Sequence, residues 1–195
     1  MLKLLPLILA IACGSCGPAE LKTTGLDTAP SEPAEPYPWA TWEICAHNIG
    51  DNPCNFILMD QHGEDVELYQ SYGKVIILDF SVMWCGPCNS IAPLADQYTE
   101  LYGEDNFVWI TILIEDQAGQ TVDMSDLQSW VTTHGTTVPV LAGSRDLIDV
   151  TEPLEDGYPI TAWPTIVVID RTMKIHAGMN GFNQSAIESW IASLL

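Results

Sequence analysis

The stretch Lys74-Val75-Ile76-Ile77-Leu78-Asp79-Phe80-Ser81-Val82-Met83-Trp84-Cys85-Gly86-Pro87-Cys88 decides how the chain folds. From Lys74 to Phe80 it is a nearly continuous apolar run, the pattern of a strand covered on both faces and placed centrally in a sheet. Beyond the two cysteines, Ile91, Leu94, Ala95, Tyr98, Leu101 and Tyr102 recur at helical spacing, and Gly103 is placed to stop the helix. A Cys-x-x-Cys between a buried strand and a helix entrance sets the first sulfur against unpaired backbone N–H groups and the positive end of the helix dipole, both of which favour thiolate over thiol. Cys85 is therefore the expected nucleophile. Cys88, one turn later on the same face, is the expected resolving cysteine. Pro87 pre-sets a helical φ in the first turn, where its missing N–H costs little, and Gly86 leaves room for a partner backbone.

Working outward, residues 56–59 and 66–68 alternate around a turn at Asp60-Gln61-His62-Gly63, which predicts a small hairpin. Residues 107–114 form a second buried strand, so strand, helix and strand make a βαβ unit with parallel strands and a right-handed crossover. A helix is expected over 125–134, a short strand over 139–141, a helical turn over 145–150, and a hairpin of 165–170 with 174–177 around Arg171-Thr172. Ala186, Ile187, Trp190, Ile191 and Leu194 line one face of a last helix, with Ser185 and Glu188 spaced as a capping box. This order is that of an α/β sandwich with a mixed sheet.

Composition narrows the function classes. With 26 acidic against 6 basic residues and a formal net charge of -20 over 195 residues, the chain repels phosphate backbones, so no nucleic-acid partner is expected. Lys3 followed by the apolar run of residues 4–12 reads as an export signal, since a membrane-spanning helix needs about 20 apolar residues. Leu9-Ala10-Ile11-Ala12-Cys13-Gly14 resembles the lipobox of bacterial lipoproteins, which implies lipidation at Cys13, with Cys16 as a competing site. Membrane contact is then expected through the lipid anchor only. The expected organisation is a signal peptide over 1–12, a disordered acidic Pro-rich tether over 13–38, an N-terminal extension over 39–54 and the folded domain over 55–195.

Six cysteines fall into three close pairs, which in an exported chain point to disulfide chemistry. Cys45 and Cys54 flank Gly50, Asp51, Asn52 and Pro53, enough turn chemistry to close a loop, and a structural disulfide is expected there; a second redox pair is the alternative. Half a zinc site at Cys85 and Cys88 needs a second ligand pair at suitable spacing, which Cys45 and Cys54 do not supply. His47, His62, His134 and His176 show no metal spacing and read as surface or packing residues, and Glu115-Asp116 reads as a solvated loop. No metal and no cofactor are expected.

The segment from Asp79 to Cys88 resembles the active-site region of the thioredoxin superfamily. The Asn-Phe strand, Gly-containing hairpin, buried strand, Trp-Cys-x-x-Cys and later Pro-Thr strand between Asn55 and Leu195 are similar to the membrane-associated TlpA/ResA-type thiol–disulfide oxidoreductases. The resemblance implies a thioredoxin-like three-layer α/β/α sandwich with a mixed central sheet and an N-terminal β-hairpin extension. It implies that Asp79 is a buried general acid/base for Cys88, although the lysine usual near that carboxylate is missing from residues 109–114, and that Met59 stands where the ResA-like branch places a Glu. Trp163-Pro164-Thr165 resembles the cis-proline loop, which presents backbone groups to an extended substrate and keeps metal from the dithiol. Trp84, Gly86, Pro87, Trp163, Pro164 and Thr165 are thus the implied substrate-binding residues. The implied partners of this monomeric enzyme are cysteine-containing exported proteins and an unidentified electron donor or acceptor.

The Gly-Pro dipeptide and Asp79 match reducing thioredoxins, whose potential is about -270 mV. A thiol peroxidase reading meets Val82 and Leu78 where the peroxiredoxin pattern Pro-x-x-x-Thr-x-x-Cys has Thr and Pro. A copper chaperone reading requires three residues between the cysteines and a later His, and two stand here.

Overall fold

Seven strands and four α-helices are built from the described residues of the computed structural model, which are 42, 44–148 and 157–195. The segments expected to be a signal peptide and a tether, with Cys13 and Cys16, lie outside them. The central sheet has the order β5-β4-β3-β6-β7, with β3 Val75–Ser81, β4 Phe107–Leu113, β5 Val140–Ala142, β6 Thr165–Ile169 and β7 Ile175–Asn180. β3 is parallel to β4 and antiparallel to β6, so the apolar run before the cysteines is the middle strand of a mixed sheet, buried at every residue from Val75 to Ser81.

Alternation along β3 sorts its side chains between two layers. Ile76, Leu78 and Phe80 meet Leu127 and Trp130 of α3 Met124–His134. Val75 and Ile77 pack with Ile91 of α1 Gly86–Ile91, Ala95 and Tyr98 of α2 Leu94–Tyr102, and Ile187 and Ile191 of α4 Gln184–Leu194. This is the thioredoxin-like three-layer sandwich. Before it stands a hairpin of β1 Ile57–Met59 and β2 Asp65–Glu67. Its turn does more than reverse the chain: Gln61 donates to the carbonyl of Val138 at 3.2 Å and accepts from Val140 N–H at 2.9 Å, docking the hairpin on β5.

Several local expectations are corrected. The helix after the cysteines is two helices, because Pro93 has no N–H to continue the ladder, and α2 restarts at Leu94. Leu101, counted on its apolar face, is 70% exposed. The α4 cap is Asn183, whose side chain accepts from Ala186 N–H; Glu188 instead accepts from Tyr98 Oη at 3.1 Å and Gln184 Nε2 at 2.8 Å. A capping box does exist, in α3, between Asp123 and Asp126. The turn near 145–150 is a 3-10 helix of Arg145–Leu147, and residues 149 and 150 lie outside the described ones.

Cys45 and Cys54 are joined, with Cα atoms 4.8 Å apart. The loop they close lies along the start of β7, where Gly50 N–H donates to Ile175 O and Ile175 N–H to Asp51 O. Closing so short a loop restricts the unfolded chain, and replacing both cysteines by alanine is expected to lower stability by about 2–3 kcal/mol. A urea midpoint unchanged in the double variant would mean that the β7 contacts hold the loop unaided.

Candidate active site

β3 ends at Ser81, and Val82-Met83-Trp84 carries the chain over the sheet's edge to Cys85, the N-cap of α1. The crossing is pinned to β4, since Ile114 N–H donates to Ser81 O and Met83 N–H to Glu115 O, both at 2.9 Å. Cys85 Sγ accepts from Cys88 N–H at 3.1 Å, and the two cysteines form a disulfide with Cα atoms 5.3 Å apart. Their surroundings differ: Cys85 keeps 5% of its surface beside exposed Gly86 and Pro87, whereas Cys88 is sealed. A Cβ placed on Gly86 meets nothing within 4 Å, so the space beside Gly86, next to Cys85, is open.

Asp79 sits in β3 with no exposed surface, opposite Thr111 of β4 and Ile166 of β6. Its Oδ1 accepts from Ser81 Oγ at 2.7 Å, while Oδ2 and the nearby strand's Trp109 Nε1 are buried without a close partner. Burial raises the carboxyl to about 7, against smaller lowering by Ser81, Trp109 and Thr111. By strand alternation Asp79 shares the face of β3 that α1, α2 and α4 cover. Met59 is 37% exposed on the hairpin.

The Trp163–Pro164 peptide is cis. Thr165 pairs with Phe80 in the ladder, which brings this loop to the same end of β3 as the cysteines. Thr165 Oγ1 shares its one hydrogen between Ala162 O at 2.7 Å and Asn180 Oδ1 of β7 at 2.8 Å, and Gly181 N–H donates to the Pro164 carbonyl at 2.6 Å. The N–H and C=O of Trp163 make no hydrogen bond to the described residues.

Two features escaped the reading of the sequence. Glu115 is not a solvated loop residue: it is 5% exposed, accepts from Trp84 Nε1 at 2.9 Å, and is ion-paired with Arg145. That bond orients Trp84, which stays 49% exposed beside the disulfide. The signal lay in topology, because a side chain just beyond the carboxyl end of β4 shares its rim with the end of β3. Asn89, next to Cys88, donates to Met83 O and Cys85 O, and Gln117 Nε2 also donates to Met83 O at 2.7 Å. Histidines His47 and His134 pack on aromatic rings, Tyr158 and Trp130 respectively.

The AhpC/TSA family model matches residues 49–177, well over half of the chain. The chain is 29% identical over 147 residues to the thiol-disulfide oxidoreductase ResA of Halalkalibacterium halodurans, covering 73% of this chain and 74% of that protein. A shorter match, 42% identical over 43 residues, runs to a thioredoxin of Coprinus comatus and covers 22% of this chain and 41% of that one. Among solved structures, the pneumococcal exposed lipoprotein thioredoxin of Streptococcus pneumoniae superposes with a TM-score of 0.55 at 26% identity, over 72% of this chain and 100% of that one. A Chlorobium tepidum structure described as a putative thiol:disulfide interchange protein DsbE shares the fold, with a TM-score of 0.61 at 24% identity over 76% and 99% of the two chains. The chain belongs to the AhpC/TSA family and is a thiol–disulfide oxidoreductase of the thioredoxin fold.

Proposed function

We propose that the protein reduces disulfides of exported proteins by mixed-disulfide exchange, from an extracytoplasmic position on a lipid tether at Cys13. The observation that carries the reading is the asymmetry of the two sulfurs, Cys85 at an open rim and Cys88 sealed beneath it. The sulfur nearer the surface attacks and the fully buried one resolves.

In the reaction the Cys85 thiolate attacks one sulfur of a partner disulfide, and the other partner sulfur leaves as a thiolate. Cys88, deprotonated, then attacks Cys85 Sγ. The Cys85–Cys88 bond forms, the bond to the partner breaks, and the partner departs with both thiols once protonated. Two electrons pass to the partner, and an electron donor must return them to the disulfide. Asp79, held near neutrality in pKa by its burial, accepts the Cys88 proton. The N–H and C=O of Trp163, without a hydrogen bond among the described residues, suit the backbone of an extended partner, with Pro164 and Thr165 fixing that loop, Trp84 as one wall and Gly86 and Pro87 as the floor.

The Gly86-Pro87 dipeptide and Asp79, as in reducing thioredoxins, support reduction over oxidation. Equilibration of the Cys85–Cys88 pair with glutathione is expected to give a potential of about -270 mV, and a value of about -120 mV would reverse the direction. The export signal, the lipobox-like Cys13 and the likeness to an exposed lipoprotein thioredoxin support the location. Val82 and Leu78, fully buried and apolar, offer no hydroxyl or proline for a peroxide site.

A further inference from the structure

Asn89 is the residue after Cys88, and its side chain turns back over the start of its own helix. Nδ2 lies 2.9 Å from the carbonyl of Met83 and 2.7 Å from that of Cys85, on either side of Trp84. Oδ1 lies 3.1 Å from Nε2 of His134, the last residue of α3. Chemistry settles which atoms donate. Two carbonyls accept and never donate, so the amide NH2 faces them; Oδ1 is then an acceptor, and His134 Nε2 carries the hydrogen. The His134 ring is itself held against Trp130, with centroids 4.3 Å apart.

We propose that Asn89 is a positioning residue for the dithiol, fixed by His134 and acting on the resolution step. This rests on Cys85 and Cys88 being the working pair. In the disulfide state the S–S bond holds the sulfurs together. In the mixed disulfide that bond is gone, Cys85 is pulled by its partner, and Cys88 must still meet Cys85 Sγ in line. Asn89 ties the backbone that carries Trp84 and Cys85 to the helix that carries Cys88, through carbonyls and not through sulfur. Its bonds therefore persist in the reduced, mixed and oxidised states. Holding two reacting groups in near-attack geometry is where intramolecular reactions gain most of their rate, and small misplacements are costly.

The test mixes the reduced full-length protein with glutathione disulfide, quenches in acid, and follows the glutathione adduct on Cys85 by mass. Asn89→Ala is expected to resolve the adduct about tenfold more slowly than the natural sequence, while adduct formation stays within about twofold. His134→Gln, which keeps an N–H near the place of Nε2, is expected to resolve at the natural rate; His134→Phe, which lacks the donor and lies outside α1, is expected to be slowed. Natural-rate resolution in both Asn89→Ala and His134→Phe would overturn the proposal, as would equal slowing of both steps. Failure of Cys88→Ser to form any Cys85 adduct would instead remove the dithiol reading itself.

Discussion

Cys88→Ser is expected to stop turnover and leave the protein covalently attached to its partners, whereas Cys85→Ser stops turnover and attaches to nothing. Both lose insulin reduction by on the order of a thousandfold or more, because each turnover needs one sulfur to attack and a second to resolve, and no other group at the site replaces either. What separates them is burial. Cys85 reaches the surface beside Gly86 and Pro87, and Cys88 has no exposed surface at all. With Cys88 replaced, the first attack proceeds and the mixed disulfide has no second sulfur to resolve it. With Cys85 replaced, the remaining sulfur is out of a protein partner's reach. The measurement is non-reducing electrophoresis of the two variants after incubation with an extracytoplasmic extract, each followed by reduction. Comparable adducts on Cys85→Ser would mean that the attacking cysteine has been misassigned.

The fold was legible because two periods in the sequence agreed with each other. The nearly continuous apolar run over β3, the helical spacing after the cysteines and the second buried strand left one right-handed βαβ unit, and the structure holds it with β3 and β4 in parallel register. The dithiol and the Trp163–Pro164 loop were legible because each is a short motif whose chemistry depends on a few adjacent residues. What escaped the sequence was of another kind. Pro93 lay in plain view, yet the apolar spacing ran through it and hid the break between α1 and α2. Ser185 and Glu188 had the spacing of a cap, but Asn183, two residues earlier and as good an N-cap type as Ser, is the one that takes Ala186 N–H.

Glu115 and Asn89 were missed for a more general reason. Neither belongs to a motif, and each acquires its role only when elements distant in the chain meet. Glu115 reads as one charge of an acidic turn until the sheet sets it under Trp84. Asn89 reads as a polar helix residue until α3 delivers His134 to it. Local propensity carries no information about a contact made across 45 residues of chain, so such residues are recoverable only through topology.

Asp79 gives the largest effect expected on stability, and its sign runs against intuition for a charged-to-neutral change. In the folded chain the carboxyl is raised from 3.8 to about 7, chiefly by burial. Between those two values the unfolded chain has released a proton that the folded chain still holds, so stability falls as pH rises through the window from about 4 to about 7. Below it the group has no effect; above it the folded protein carries a buried charge at a cost of roughly 4 kcal/mol. Asp79→Asn cannot ionise. It is expected to match the natural protein in urea unfolding near pH 4 and to exceed it by about 2–4 kcal/mol at pH 8, with a flatter dependence between. The gain in stability should come with a loss of rate: if Asp79 takes the Cys88 proton, resolution of the mixed disulfide slows by about a hundredfold and loses its inflection near neutrality. A variant less stable than the natural protein at pH 8 would mean that Asp79 is charged and well solvated, and a resolution rate unchanged in Asp79→Asn would remove the carboxyl from the proton path.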